Sequence, residues 1–318
     1  VLRTDDLRAT LIPAVPVPFD EQGRIDRADQ DRYVAHMAGQ PIGGVAVWAH
    51  TGRGLRLSVE QRADVLTAWR AGLGKGRFVI AAAGADPRER REGAVLDAAR
   101  SMAHHAAQLG ADALLVHPPM AFRGKPEQDR LIVAYHAAVA EAGLPLVLFY
   151  LYESAGGISY GPHVLAELLA RPEVLGIKVA TLDSVMRFQD VAQLVRSQFP
   201  TKLLITGEDR FLGYSLMCGA GAALIGMGAA CTGLQAELLS AYWAGDASRF
   251  VALNGPVDDL ARHTFVAPME GYIRRMLWCL VHEGVISAES AHDPWGPPLG
   301  RAEFDQIGAC LARTGQRQ

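Results

Sequence analysis

Lys178 lies inside Gly176-Ile177-Lys178-Val179-Ala180, directly after the apolar pair Val174-Leu175. A strand buried on both faces reads as near-continuous Val, Ile and Leu. A lysine at its end therefore carries a strongly hydrated ammonium into a place that excludes one. Desolvation there favours the neutral amine, the form that attacks a carbonyl to give a Schiff base. A lysine snorkelling to solvent from the strand end is the alternative. Tyr150 closes another apolar run. On a neighbouring strand at the same height, its phenol would pass protons during carbinolamine formation and at the substrate's reacting oxygen. The alternative is an aromatic residue with its hydroxyl in water. The turn His50-Thr51-Gly52 offers N–H groups and a hydroxyl to an anion such as a substrate carboxylate, since glycine allows close approach. His50 itself reads as a proton-transfer group, a hydrogen-bond donor or a plain loop histidine. Glu208 would reach a distal hydroxyl of the substrate or pair with Arg210, and His117 and Asp209 carry the same ambiguity. His104 and His105 fall within a helical stretch and read as surface residues.

All of these candidates except the helical histidines share one property: each closes, or directly follows, an apolar run of strand length. Such runs recur eight times, over 11–17, 43–48, 78–83, 113–117, 146–150, 174–179, 202–206 and 222–226. Helical stretches are predicted between them, among others over 59–73, 88–108, 126–142, 162–170, 184–197 and 211–218. Strict strand–helix alternation predicts a parallel sheet, and eight units predict closure into a (β/α)8 TIM barrel. Reactive residues of such barrels come from strand C-termini and the loops after them. After Gly233 the strands stop, and helices are predicted over 234–245, 247–260, 271–284 and 301–314. The expected organisation is a barrel over 1–232 with a helical extension over 233–318 packed on it as one structural unit.

With 50% hydrophobic and 20% charged residues in 318, the composition is that of a globular protein. A net charge of −3 gives no reason to expect nucleic acid or a membrane surface as partner. No run approaches the about 18–20 apolar residues of a membrane span, and the N-terminal residues lack the apolar core of a signal peptide. The four cysteines are far apart, without Cys-x-x-Cys or zinc-like spacing, and read as reduced core residues of a cytoplasmic protein.

In their order along the chain, these motifs resemble the dihydrodipicolinate synthase/N-acetylneuraminate lyase family of lysine-dependent aldolases and dehydratases. Ala14-Val-Pro-Val-Pro-Phe-Asp-Glu-Gln-Gly23 is similar to the family's first strand and turn. The stretch 44–52 is similar to its Gly-Thr/Ser-Thr-Gly-Glu loop, and Gly176-Ile-Lys-Val-Ala180 to its lysine motif. The stretches around Tyr150, Gly207-Glu-Asp209 and 219–226 resemble its fifth, seventh and eighth strand ends. The resemblance implies Lys178 as imine-forming residue on pyruvate or another 2-keto acid, with no other cofactor and no metal, and Tyr150 as proton shuttle. Thr51 and its neighbours His50 and Gly52 would hold the carboxylate, with Glu208 and Leu224 also on the substrate. A homo-oligomer, tetramer or dimer, is implied too. Departures are visible. His50 and Arg53 replace the loop's usual hydroxyl residue and glutamate. Pro118-Pro119-Met120-Ala121-Phe122 lacks the tyrosine that dihydrodipicolinate synthase contributes across its dimer, and that enzyme's substrate-binding arginine falls on or near Ala155. The expectation is a Schiff-base aldolase or dehydratase that does not make the lysine precursor. The competing readings are a metal-dependent hydrolase, which would need His and Asp ligands at several strand ends, and a silent keto-acid-binding barrel.

Overall fold

The computed structural model describes residues 1–315. Eight strands lie in one parallel sheet: β1 Leu11–Pro13, β2 Gly44–Val47, β3 Phe78–Ala83, β4 Ala113–Val116, β5 Leu146–Leu151, β6 Val174–Ala180, β7 Leu203–Thr206 and β8 Ala222–Ile225. From β2 to β8 each strand pairs with its sequence neighbours, and β1 pairs with β8. The bridge Ala14–Ala46 and the bond from Val15 N–H to Ala46 O (3.1 Å) join β1 to β2 and close the barrel. Every residue of every strand is buried, which is why the runs read as unbroken apolar stretches. Strand β1 is shorter than the run predicts. Pro13, Pro16 and Pro18 have no N–H to give to a ladder, so pairing stops early.

The helices before the extension are α1 Thr4–Leu7, α2 Arg27–Ala38, α3 Val59–Gly72, α4 Glu92–Gln108, α5 Gln128–Ala140, α6 Pro162–Leu169, α7 Val185–Gln198 and α8 Leu212–Met217. Their inner faces follow helical spacing: α4 buries Val95, Ala99, Met102, Ala103 and Ala106 against the sheet. Helix α4 starts later than the predicted 88–108, because Asp86 and Glu89 bind the backbone N–H groups of Arg88, Arg90 and Arg91 in a local turn. Helix α2 carries no clear apolar stripe in the sequence, yet Asp26 caps it by accepting from Asp29 N–H at 2.9 Å.

The extension consists of α9 Thr232–Trp243, α10 Ala247–Thr264, α11 Tyr272–His282 and α12 Arg301–Arg313. Arg275 on α11 is fully buried and ties the segment before it in place, donating to Val266 O at 2.8 Å and to Glu303 Oε2 at 2.8 Å. This anchoring presents Glu270 and Tyr272 to the C-terminal mouth of the barrel. No helix among the described residues is long and apolar enough to cross a membrane.

Candidate active site

The strand register decides which side chains meet. Lys178 on β6 is level with Phe149 on β5 and Ile205 on β7. Gly176 lets β6 lie close against β7, and Gly207 makes room for the lysine side chain. A Cβ on Gly176 would lie 2.1 Å from Leu203 O, and one on Gly207 would lie 2.6 Å from Lys178 Cε. The side chain is almost wholly buried, and its Nζ stands 4.1 Å from the centre of the Phe149 ring. Burial lowers the basicity of the amine, against the opposing pull of Asp209 and Glu208. Asp209 is pushed up by the same burial, although its Oδ1 accepts from Met227 N–H at 2.7 Å. Amine and acid are thus both drawn toward their neutral forms, the state a nucleophilic lysine needs.

Tyr150 is not beside the amine. Successive strand residues point to opposite faces, so Phe149 shares the inner face with Lys178 and Tyr150 faces the helices. Its phenol accepts from Arg187 Nη1 on α7 at 2.8 Å, and the same nitrogen donates to Ser159 Oγ at 2.7 Å. The register thus puts a ring with no hydroxyl level with the amine and leaves the Tyr150 phenol, expected as proton shuttle, one residue further on and bonded to Arg187.

The loop after β2 is folded tightly, with Trp48 and Arg53 both in the left-handed region (φ 58° and 52°). Gly52 N–H already donates to Ala49 O at 3.0 Å, and a Cβ on Gly52 would lie 2.8 Å from Val15 O. Gly52 therefore serves close packing and is not an open anion donor. Thr51 is buried, and its hydroxyl lies 2.9 Å from the phenol oxygen of Tyr272. His50 Nδ1 lies 3.1 Å from the same phenol, and His50 Nε2 lies 3.2 Å from Glu270 Oε1. Arg53 is buried and grips Asp293 through Nε and Nη2 (3.1 and 2.6 Å) and Glu270 through Nη1 (2.7 Å). Burial alone would raise the Glu270 carboxyl, but His50 and Arg53 hold it down at about 2.

Glu208 is engaged away from the substrate role expected of it, while Leu224 shares the inner face of the barrel with Lys178. Both oxygens of Glu208 cap the loop after β6, accepting from Thr181 N–H (2.6 Å), Thr181 Oγ1 (2.8 Å) and Leu182 N–H (2.9 Å), and burial pushes its carboxyl up to about 7. Its other expected partner, Arg210, donates instead to Phe265 O at 2.7 Å. Leu224 is fully buried in the β8 wall, paired with Ile12. His117, by contrast, stands in the mouth edge-on to Phe149, and burial lowers it to about 3, so it is a neutral imidazole.

A cavity of about 260 Å³ opens at this end of the barrel, lined among others by His50, Arg53, His117, Met120, Phe149 and Glu270. Phe149 is the wall between this space and Lys178. Ser154, Ala155 and Gly156 line its rim, so no guanidinium stands where the resemblance places a substrate-binding arginine. Among the described residues, the one cluster with metal-ligand spacing is Asp259, His263 and Cys310, on α10 and α12 and not at the strand ends. Phe149 and Tyr152 flank Tyr150 in the sequence, which leaves the register open by one residue, whereas Tyr272 and Glu270 carry no sequence signal for this site. The latter two come from an extension some 220 residues away, with no local signal linking them to the β2 loop.

The sequence profile of the Dihydrodipicolinate synthetase family matches residues 8–309. The chain belongs to that family. A 4-hydroxy-tetrahydrodipicolinate synthase from Parasynechococcus marenigrum (strain WH8102) is 28% identical over 311 residues, covering 96% of this chain and 93% of its own. Among solved structures, the Ruminococcus gnavus sialic acid aldolase catalytic lysine mutant superposes with a TM-score of 0.82 at 19% identity, covering 99% of each chain. YagE, an E. coli K12 prophage protein of the dihydrodipicolinic acid synthase family in complex with pyruvate, gives 0.82 at 20% identity, covering 96% and 98%. At such identities the structural likeness is one of fold. Family members are lyases of the class I, Schiff-base type, and this protein is an enzyme of that class.

Proposed function

We propose that this enzyme forms an imine between Lys178 and the keto carbon of pyruvate or a pyruvate-derived 2-keto acid, and makes or breaks a bond beyond it. The observation that carries this reading is the buried Lys178, its basicity lowered by desolvation, toward the C-terminal end of β6 and against the Phe149 ring that lines the open cavity. An iminium nitrogen is an electron sink: it stabilises a carbanion at C3 as an enamine, which adds to an aldehyde or arises from retro-aldol cleavage. Loss of a C4 hydroxyl as water begins from the same intermediate. The cavity supports a second substrate other than that of the lysine-precursor synthase, since its rim lacks the arginine near Ala155. No cofactor beyond the covalent imine belongs to this reading. A homo-oligomer, usual in the family, does.

The test is intact-mass spectrometry after borohydride treatment with pyruvate. A pyruvyl adduct on the wild type, mapped to Lys178 and absent from Lys178→Ala, is the expected result. Absence of any adduct with pyruvate and with a panel of 3-deoxy-2-keto sugar acids would overturn the proposal.

A further inference from the structure

An imine site needs a group that carries protons at C2 and C3 of the bound keto acid. The inner face of β5 offers only the Phe149 ring. Two phenols stand near the strand ends: Tyr152, directly after β5, and Tyr272, from the extension; Tyr272 is the one hydrogen-bonded to the loop after β2. Tyr272, the first residue of α11, is buried with its hydroxyl on Thr51 Oγ1 (2.9 Å) and His50 Nδ1 (3.1 Å). Its ring stacks on Phe265 at 4.6 Å and lies over Gly226 at the end of β8, where a Cβ would meet Tyr272 Cε2 at 3.1 Å and Thr51 Oγ1 at 3.3 Å. Gly207, the next strand end, is the glycine that makes room for Lys178. Asp209 lies near both: its Oδ1 accepts from Met227 N–H just after β8 at 2.7 Å, and its carboxyl bears on the Lys178 amine and the Tyr272 phenol alike.

The hydrogen-bond order follows from chemistry. The Glu270 carboxylate stands 3.2 Å from His50 Nε2 as a charge contact, which favours the tautomer protonated at Nε2 and leaves Nδ1 to accept from the Tyr272 phenol. Thr51 then donates to the phenol oxygen. His50 also lines the cavity, with its side chain 20% exposed. A chain of proton-carrying groups thus runs from the buried strand ends to the cavity mouth.

We infer that Tyr272 is the acid–base group of this imine site and that His50, oriented by Glu270, exchanges its proton with solvent, an inference that rests on the Schiff-base reading of Lys178. When the lysine amine has added to C2, Tyr272 gives its phenolic proton to the carbinolamine hydroxyl. The C2–O bond breaks, the nitrogen lone pair forms the C2=N⁺ bond, and water leaves. The tyrosinate so formed takes a proton from C3. The C–H pair becomes the C2=C3 bond, the iminium π pair returns to nitrogen, and the neutral phenol is restored. Burial raises the Tyr272 phenol, so its proton stays in place until the carbinolamine forms, and its anion is a strong base afterwards.

Pyruvate alone tests this in heavy water, with two readouts. Borohydride trapping reports the imine, and proton NMR reports deuterium entering the methyl group through the enamine. Wild type should show both. Tyr272→Phe should keep a trappable adduct on Lys178 while methyl exchange falls at least about 100-fold, the scale of general acid–base catalysis. His50→Ala should lose at least about tenfold in exchange and recover it with added imidazole, which a purely structural role would not allow. Exchange in Tyr272→Phe within about threefold of wild type would overturn the inference. Should that variant fail to fold by circular dichroism, the histidine variant decides: full exchange, or a loss that imidazole does not rescue, overturns it. A wild type that is trapped but never exchanges overturns the relay and leaves the Schiff base standing. A wild type that shows neither signal overturns both.

Discussion

Arg53 stands where the resemblance leads one to expect a glutamate, and the structure says what it holds. Its side chain is 9% exposed, and its partner Asp293 is 1% exposed. Glu270, on the other side, is the residue that orients His50. Arg53→Gln would leave Asp293 buried with half of its partners gone. Breaking a buried pair by removing one member costs about 3–5 kcal/mol, because the remaining charge is uncompensated. In a chain of this size that corresponds to a fall of about 5–10 °C in melting temperature. The loss should depend on pH. The Glu270 carboxyl sits at about 2 in the fold against an ordinary 4.5, so its contribution is fully present above 4.5 and disappears as pH falls from 4.5 through about 2. The gap between wild type and Arg53→Gln should therefore be constant from pH 6 to 8 and narrow below pH 4.5, read by thermal scanning at each pH. The triple variant Arg53→Met, Glu270→Met, Asp293→Met should recover most of the lost stability, since apolar replacement of a buried ionic group is often neutral. It should not recover methyl exchange, because His50 loses its carboxylate. A melting temperature of Arg53→Gln within a degree of wild type would refute the reasoning: the clasp would then be solvated and dispensable.

Tyr150→Phe removes a phenol that bonds Arg187 on the helix side of β5. Imine trapping and methyl exchange should stay near wild type, with a stability loss of about 1 kcal/mol from one hydrogen bond; a collapse of exchange would return the shuttle to this residue. Glu283 accepts from Cys231 N–H at 3.0 Å, and burial raises its carboxyl to about 7 from an ordinary 4.5. A raised carboxyl gives its stability below 4.5 and loses it as pH climbs through 7. Glu283→Gln keeps an acceptor without the charge, so it should melt with wild type near pH 4 and above it near pH 8. The reverse order in denaturant titrations would show that the buried carboxylate is stabilised by contacts other than this one.

The barrel was legible because burial on both faces strips its strands of polar alternation, leaving eight apolar runs that punctuation and spacing alone can order. Lys178 was legible for the same reason, as a charge deep in a run that should not contain one. What the sequence hid was orientation. Tyr150 and Phe149 are adjacent letters, and in a fully buried strand no polar–apolar alternation says which of them faces the barrel interior; only the pairing of Phe149 with Lys178 does. Glu208 beside Asp209 posed the same ambiguity, and backbone donors at Thr181 and Leu182, on another strand's loop, resolved it. Tyr272 and Glu270 were hidden for a different reason. Each belongs to a segment whose local pattern speaks only of a helix start, while its chemical partners His50 and Arg53 lie in the loop after β2. The two departures in that loop make sense together once the contact is known. An arginine at 53 needs the acidic residues of the extension, and the glutamate that answers it is also the one facing His50. The interior that lacks a phenol on β5 is served by the segment those charges hold in place, so loss of the Arg53 clasp should cost proton transfer as well as stability.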